Sequence, residues 1–218
     1  MADPRYPNET SEYREARQAL LAAEADLRER VERVAALRRA LPLGGAVPQD
    51  YRFQGADGSV KLSELFAVGK DSLFVYSYMF SPQMKAPCPL CTSFLDALDA
   101  QAPHIEQRIN LVVSAKSPYA RLAGVAKDRG WRNMRLVSDG ESSYHADYLG
   151  EAPDGSQMPM ANVFVRREGK IYHWWGSELL FVPNKAGDPR HIDMMWPLWN
   201  VLDTTPDGRG GFSPSLTY

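Results

Sequence analysis

Only two residues in this 218-residue chain carry a thiol, and they stand three positions apart: Cys88 and Cys91 in "APCPLCTSFL". A thiolate is a strong nucleophile and a soft metal ligand, and two thiols at this spacing on one helical turn can also close a disulfide. Three chemistries follow from residue type alone. The pair can be a dithiol redox centre, half of a metal site, or two small apolar fillers of a core. Zinc would need help from His104, His145, His173 or His191, and these are scattered singly with no second ligand pair at zinc-finger spacing. The surrounding residues favour redox chemistry. Pro89 follows Cys88 directly, and proline suits the first position of a helix, where no N–H donor is needed and the fixed φ is already helical. A cysteine just before that position meets unpaired backbone N–H groups and the positive end of the helix dipole, and both favour the thiolate. Cys88 is therefore the expected nucleophile and Cys91, one turn further in, the resolving thiol. A thiol peroxidase would place a threonine three residues before its reactive cysteine. Lys85 stands three before Cys88 and Cys88 three before Cys91, while Thr92 lies on the wrong side, so peroxidase action is disfavoured.

The elements that must hold this pair are legible on both sides of it. "SLFVYSYMF" (72–80) is an apolar and aromatic run too short for a buried helix, and it reads as a central strand covered on both faces. Leu90, Phe94, Ala97 and Leu98 share one face of the following helix, which Pro103 should end. "INLVVSA" (109–115) and "MRLVSD" (134–139) read as two more strands. Between them lies a helix with Ser117 at its cap, Pro118 in its first turn and Gly130 as its stop. "ANVFVRREGKIYHWW" predicts a hairpin about Glu168-Gly169, and "HIDMMWPLWNVLD" a short helix opened by Asp193. Upstream, "DYRFQGADGSVKLSELF" predicts a hairpin turning at Ala56-Asp57-Gly58 and a short helix capped by Ser63. Strands alternating with helices imply crossover units and a mostly parallel sheet, which the last hairpin makes mixed.

The chain before "PLGGAVP" (42–48) has another character. From Thr10 to Ala40 it holds no Gly or Pro and is dominated by Ala, Leu, Glu and Arg. Leu20, Leu27, Val31, Val34, Leu37 and Leu41 form a stripe at helical spacing. Residues 1–42 are thus expected to form a helical arm and residues 43–218 one domain. The stripe needs a partner, either the protein's own body or a twin helix, the latter making a homodimer.

Composition excludes other classes. With 25 basic and 27 acidic residues the formal charge is −2, which provides no field for gathering nucleic acid or anionic lipid. No apolar run approaches the roughly 18–20 residues that cross a bilayer. The first residues show no secretory signal pattern, and a cytoplasmic location is the expectation. A close cysteine pair in that compartment is more often catalytic or metal-binding than a structural staple.

Taken together, "RRALP", "DYRFQGADGSVKLSELF", "YSYMFSPQMKAPCPLC", "GWRNMRLVSD" and "YHWWGSELLF…DPRHIDMMWPLWNVLDTTPDGRG" run through nearly the whole chain. They resemble a bacterial family of thioredoxin-like proteins of formally unknown function, described as predicted dithiol–disulfide oxidoreductases. The resemblance implies a thioredoxin-like α/β fold with a mixed sheet flanked by helices, a long N-terminal arm and a C-terminal extension. It implies disulfide exchange with a protein or small-molecule disulfide, electrons from a dithiol or thiol donor, and no bound cofactor. In the wider superfamily a cis-proline precedes the last hairpin and faces the CxxC to position substrate chains; Pro159 in "QMPMANVFVRREG" resembles it. Together with Pro89 it is the expected substrate-side residue. The tryptophan usual before the first cysteine of thioredoxin is replaced here by Ala86-Pro87.

Overall fold

A computed structural model describes residues 5–140, 142–184 and 187–217. The chain divides into two compact units, one ending at Pro42 and the other beginning at Leu43. The first is dominated by α1 (Ser11–Arg39), opened by Thr10, whose hydroxyl accepts a hydrogen bond from the Tyr13 N–H. Tyr13, Leu20, Leu27, Val34 and Leu41 recur every seven residues and all stand exposed, as do Val31 and Leu37.

The second unit is built on a seven-stranded sheet. Its strands are β1 (Arg52–Gly55), β2 (Gly58–Lys61), β3 (Ser72–Ser77), β4 (Asn110–Ala115), β5 (Arg135–Ser138), β6 (Ala161–Arg167) and β7 (Lys170–Gly176). They lie in the order β2-β1-β5-β4-β3-β6-β7. The three central strands, β3, β4 and β5, are parallel, and the outer four pair antiparallel. Parallel neighbours require crossovers, supplied by α2 (Pro89–Ile105) between β3 and β4 and by α3 (Tyr119–Arg129) between β4 and β5. A strand–helix–strand unit followed by a hairpin and a terminal helix, α5 (Pro197–Leu202), is the thioredoxin arrangement. Here it is extended by α1 and by the β1–β2 hairpin.

Side chains alternate along the central strands and build two cores. Phe74, Tyr76, Leu111, Val113 and Ala115 face α2 and α3, where Phe94, Leu95, Leu98 and Leu122 meet them. Leu73, Val75, Val112 and Val137 face the other way, onto Tyr51, Phe53, Leu62, Leu65 and Tyr144. The last of these belongs to a one-turn helix, α4 (Tyr144–Asp147). Burial on both faces is why β3 and β4 read as continuous apolar runs.

Several local expectations are corrected. Pro103 does not end α2, which continues to Ile105. The N–H that proline lacks would have bonded the Asp99 carbonyl, and that carbonyl instead accepts from the Asn133 side-chain amide at 3.1 Å. Pro118, not Ser117, is the cap of α3, and the Ser117 hydroxyl is buried without a hydrogen-bond partner instead of reaching an N–H of the helix. Ser63 does not cap the turn at Leu62–Leu65, because its hydroxyl donates to Asp50 at 2.7 Å. Asp193 opens only a three-residue 3-10 turn, and Pro197 starts α5 separately. The β6–β7 connection is a two-residue turn with both Glu168 (φ 50°) and Gly169 (φ 76°) in the left-handed region, the geometry that matches the twist of a hairpin.

Candidate functional site

β3 ends at Ser77, and the loop that follows returns its chain to the base of α2. The Cys88 N–H donates to the Met79 carbonyl at 3.1 Å, which pins the cysteine beside the strand end. Cys88 is the N-cap of α2 with extended dihedrals (φ −60°, ψ 123°), and Pro89 is the first helical residue. Cys88 is half-buried, Pro89 and Leu90 are exposed, and Cys91 is fully buried. Both sulfurs are free thiols. Cys88 is thus partly open to solvent, while Cys91 packs in the core with Phe94 and Tyr76.

This asymmetry divides their acidities. The Cys88 thiol is lowered to about 6, first by the hydrogen bond that the Cys91 thiol donates to it, then by the backbone N–H groups of Cys91 and Leu90, against the opposing cost of burial. Those two N–H groups act electrostatically, since the Cys88 side chain makes no full capping hydrogen bond. Cys91 moves the other way, well above the ordinary thiol value, because burial and then the neighbouring Cys88 charge both oppose a second thiolate. The arrangement sets one acidic thiol beside one that keeps its proton.

Two tyrosines that sequence reasoning left out, and a threonine it weighed only against peroxidase action, form the floor. Tyr76 is buried, its hydroxyl has no hydrogen-bond partner of good geometry, and the Cys91 sulfur is its main electrostatic neighbour. Thr92 Oγ1 donates to the Cys88 carbonyl at 2.8 Å, so the 2.6 Å contact between Tyr78 Oη and Thr92 Oγ1 must have the tyrosine as donor. The chain Tyr78–Thr92–Cys88 holds the capping residue by its carbonyl. Arg121 fixes the loop from the other side: it lies over the Phe80 ring at 4.6 Å and donates to the carbonyls of Pro82 (3.1 Å) and Met84 (2.8 Å). A threonine following a cysteine is the one signal in the sequence that pointed to this floor.

Asp99, on the inner side of α2, is a second omission. Its buried carboxylate accepts the backbone N–H groups of Arg132, Asn133 and Met134. It fastens α2 to the segment that enters β5.

The other expected residues are held by different elements. Pro159 lies half-buried just before β6, at the end of the sheet where β3 stops; the Ser77 N–H donates to the Met160 carbonyl at 2.7 Å. Among the described residues no peptide bond is cis, so the bond into Pro159 is trans and the expected cis-proline is absent. The backbone there is also already occupied. The Met158 carbonyl accepts from the Met160 N–H, the Met158 N–H donates to Gly150, and His191 approaches the Pro159 carbonyl at 3.3 Å. Lys85 is exposed and is not among the groups that act on Cys88. His145 is buried against Ser114, on the sheet face opposite α2, and does not serve Cys91. Among the described residues no group of three or more His, Cys, Asp or Glu side chains is placed to hold a metal ion, and no helix is long and apolar enough to cross a membrane.

A sequence model of a bacterial protein family of unknown function, DUF899, matches residues 4–216. The chain belongs to DUF899. No curated protein matches it. Solved structures similar to this DUF899 protein include peroxiredoxin Q from Xanthomonas campestris, with 15% identity, 74% of this chain and 97% of that chain covered, and a TM-score of 0.48. Thioredoxin peroxidase I from Plasmodium yoelii has 18% identity, coverages of 81% and 98%, and a TM-score of 0.47. The exposed lipoprotein thioredoxin Etrx1 of Streptococcus pneumoniae has 15% identity, coverages of 69% and 99%, and a TM-score of 0.43.

Proposed function

We propose that this DUF899 protein is a dithiol–disulfide oxidoreductase in which Cys88 is the nucleophile and Cys91 the resolving thiol. The observation that carries the reading is the placement of a half-buried Cys88 as the N-cap of α2, one turn from a fully buried Cys91, and the acidities follow it, with Cys88 lowered to about 6 and Cys91 raised. At neutral pH Cys88 is mostly thiolate and attacks one sulfur of a substrate disulfide. A mixed disulfide forms, and the other substrate sulfur leaves as a thiolate that takes up a proton. Cys88 has then lost its charge, so the repulsion that kept the Cys91 proton in place disappears at that step. Cys91 gives up the proton and attacks the Cys88 sulfur; the Cys88–Cys91 disulfide forms and the second substrate thiol departs. Two electrons from an external dithiol or small thiol restore the start.

Cys88→Ser is expected to abolish reduction of insulin or a small disulfide, whereas Cys91→Ser accumulates mixed disulfides visible as mass adducts. Equal turnover by both variants and the parent would refute the assignment.

A further inference from the structure

Tyr76 and Tyr78 belong to one core cluster under α2, but their hydroxyls are treated differently. The Tyr78 hydroxyl donates to Thr92 Oγ1 at 2.6 Å. The Tyr76 hydroxyl, on a residue 0% exposed, has no hydrogen-bond partner. Buried hydroxyls in native cores are paired as a rule, because an unpaired one has given up water without a replacement. The Tyr76 ring packs on Phe94 at 4.9 Å among apolar side chains, a place that a phenylalanine would fill as well. The oxygen therefore needs a reason of its own.

That oxygen lies beside the Cys91 sulfur, near enough to act on it. In the resting dithiol the sulfur is a poor acceptor, since it keeps its proton, offers it to Cys88, and a neutral thiol accepts weakly. Burial pushes the Tyr76 phenol well up, so it too keeps its proton and remains a donor. The Met79 N–H acts on the same sulfur. Among the described residues it has no other acceptor, while the Met79 carbonyl takes the Cys88 N–H at 3.1 Å. The end of β3 and the loop after it thus present two unused donors to one buried sulfur. Cys91 is 1% exposed, so protein groups must do for its thiolate what water does at a surface. Donors set in advance where a charge will develop stabilise it without having to reorient.

We propose that the Tyr76 hydroxyl and the Met79 N–H form a thiolate hole, idle in the resting dithiol and engaged by the Cys91 sulfur when it attacks the mixed disulfide. This role rests on Cys91 being the resolving thiol. The Cys91 proton passes to water, and the electron pair of its sulfur forms the bond to the Cys88 sulfur. The bond from Cys88 to the substrate sulfur breaks, and that sulfur leaves with the pair as a thiolate.

The step can be watched by mixing the full-length reduced protein with a slight deficit of dithiobis(nitrobenzoate), which releases a coloured thiol twice. The first release follows Cys88 attack and depends on concentration; the second follows Cys91 attack and does not. Tyr76→Phe should leave the first phase unchanged. Loss of a hydrogen bond to the charged sulfur raises the pH midpoint of the second phase by about 1 to 2, and the more basic thiolate regains part of the rate, so the phase slows about three- to tenfold at neutral pH. Because the hydroxyl it removes is unpaired, the same variant should unfold at an equal or higher urea concentration, a sign opposite to that of lost packing. Fluorotyrosine in place of Tyr76, a stronger donor of nearly the same size, should lower the second-phase midpoint and keeps the test open if Tyr76→Phe folds poorly. A second phase like the parent's in both variants, or a Tyr76→Phe in which both phases and stability fall together, would overturn the proposal and leave the dithiol mechanism standing. A parent that releases the coloured thiol only once would instead refute the resolving role of Cys91, and the thiolate hole with it.

Discussion

Cys91→Ala separates the helix from the thiol as the source of Cys88 acidity. The largest influence lowering Cys88 is the hydrogen bond from the Cys91 thiol, and the N–H groups of Cys91 and Leu90 survive the substitution. A hydrogen bond to a charged group contributes about 1.5–3 kcal/mol. At 1.36 kcal/mol per pKa unit, its loss raises Cys88 by about 1 to 2 units, from about 6 to between about 7 and 8. With a value near 7.5 the thiolate fraction at pH 6 falls from about half to roughly 3%, although the more basic thiolate regains about fivefold in intrinsic nucleophilicity. The net loss of alkylation rate at pH 6 is then only about threefold, so the midpoint and not the amplitude is diagnostic. The assay is iodoacetamide modification of Cys88 across pH 4–10, read by mass spectrometry. The same shift has a stability consequence. Cys88 is lower in the folded chain than in the unfolded one, so its thiolate stabilises the reduced protein fully above about pH 8.5, and the contribution disappears as pH falls through about 6. Cys91, raised instead, adds nothing in that window. A parent midpoint near 8.5, or an unchanged midpoint in Cys91→Ala, would refute the reasoning.

Two further substitutions probe the supports. Thr92→Val keeps the shape but strands the buried Tyr78 hydroxyl and frees the Cys88 carbonyl from one of its donors; about 1–3 kcal/mol of stability should be lost in urea unfolding. Tyr78→Phe in the same background should recover part of it. Asp99→Ala leaves three backbone N–H groups without their acceptor and should cost about 3 kcal/mol or more, with hydrogen exchange rising first at Arg132–Met134.

What could be read ahead of the structure was whatever depends on short-range rules. The aromatic run before Cys88, the proline after it and the helical spacing beyond it are local, and they placed the two sulfurs as found. Local rules failed where distant chain supplied a partner. Pro103 breaks a helix only if the carbonyl it strands stays stranded, and Asn133 prevents that. Ser63 is a good cap in isolation, but Asp50 claims its hydroxyl first, and Ser117 sits one residue ahead of the Pro118 cap. The cis-proline expectation came from likeness, not from spacing, and the bond into Pro159 is trans. Asp99 and Asp139 are ordinary acids in sequence; only the crossing of separate loops shows one saturated with donors and the other short of them.

The segment that opens the second unit also serves a protective purpose. Residues 44–47 run along the outer side of β7: Gly44 and Val47 donate to the His173 and Ile171 carbonyls, and His173 donates to Gly45. Gly44 lies so near that a Cβ there would sit 2.5 Å from the His173 oxygen, so no other residue fits. That rim of the sheet is thereby denied to foreign strands, as exposed rims invite fibrous association. Anyone trimming the protein to its second unit should therefore cut ahead of residue 44, since a cut a few residues later would bare a sticky border and produce precipitate in place of a soluble fragment.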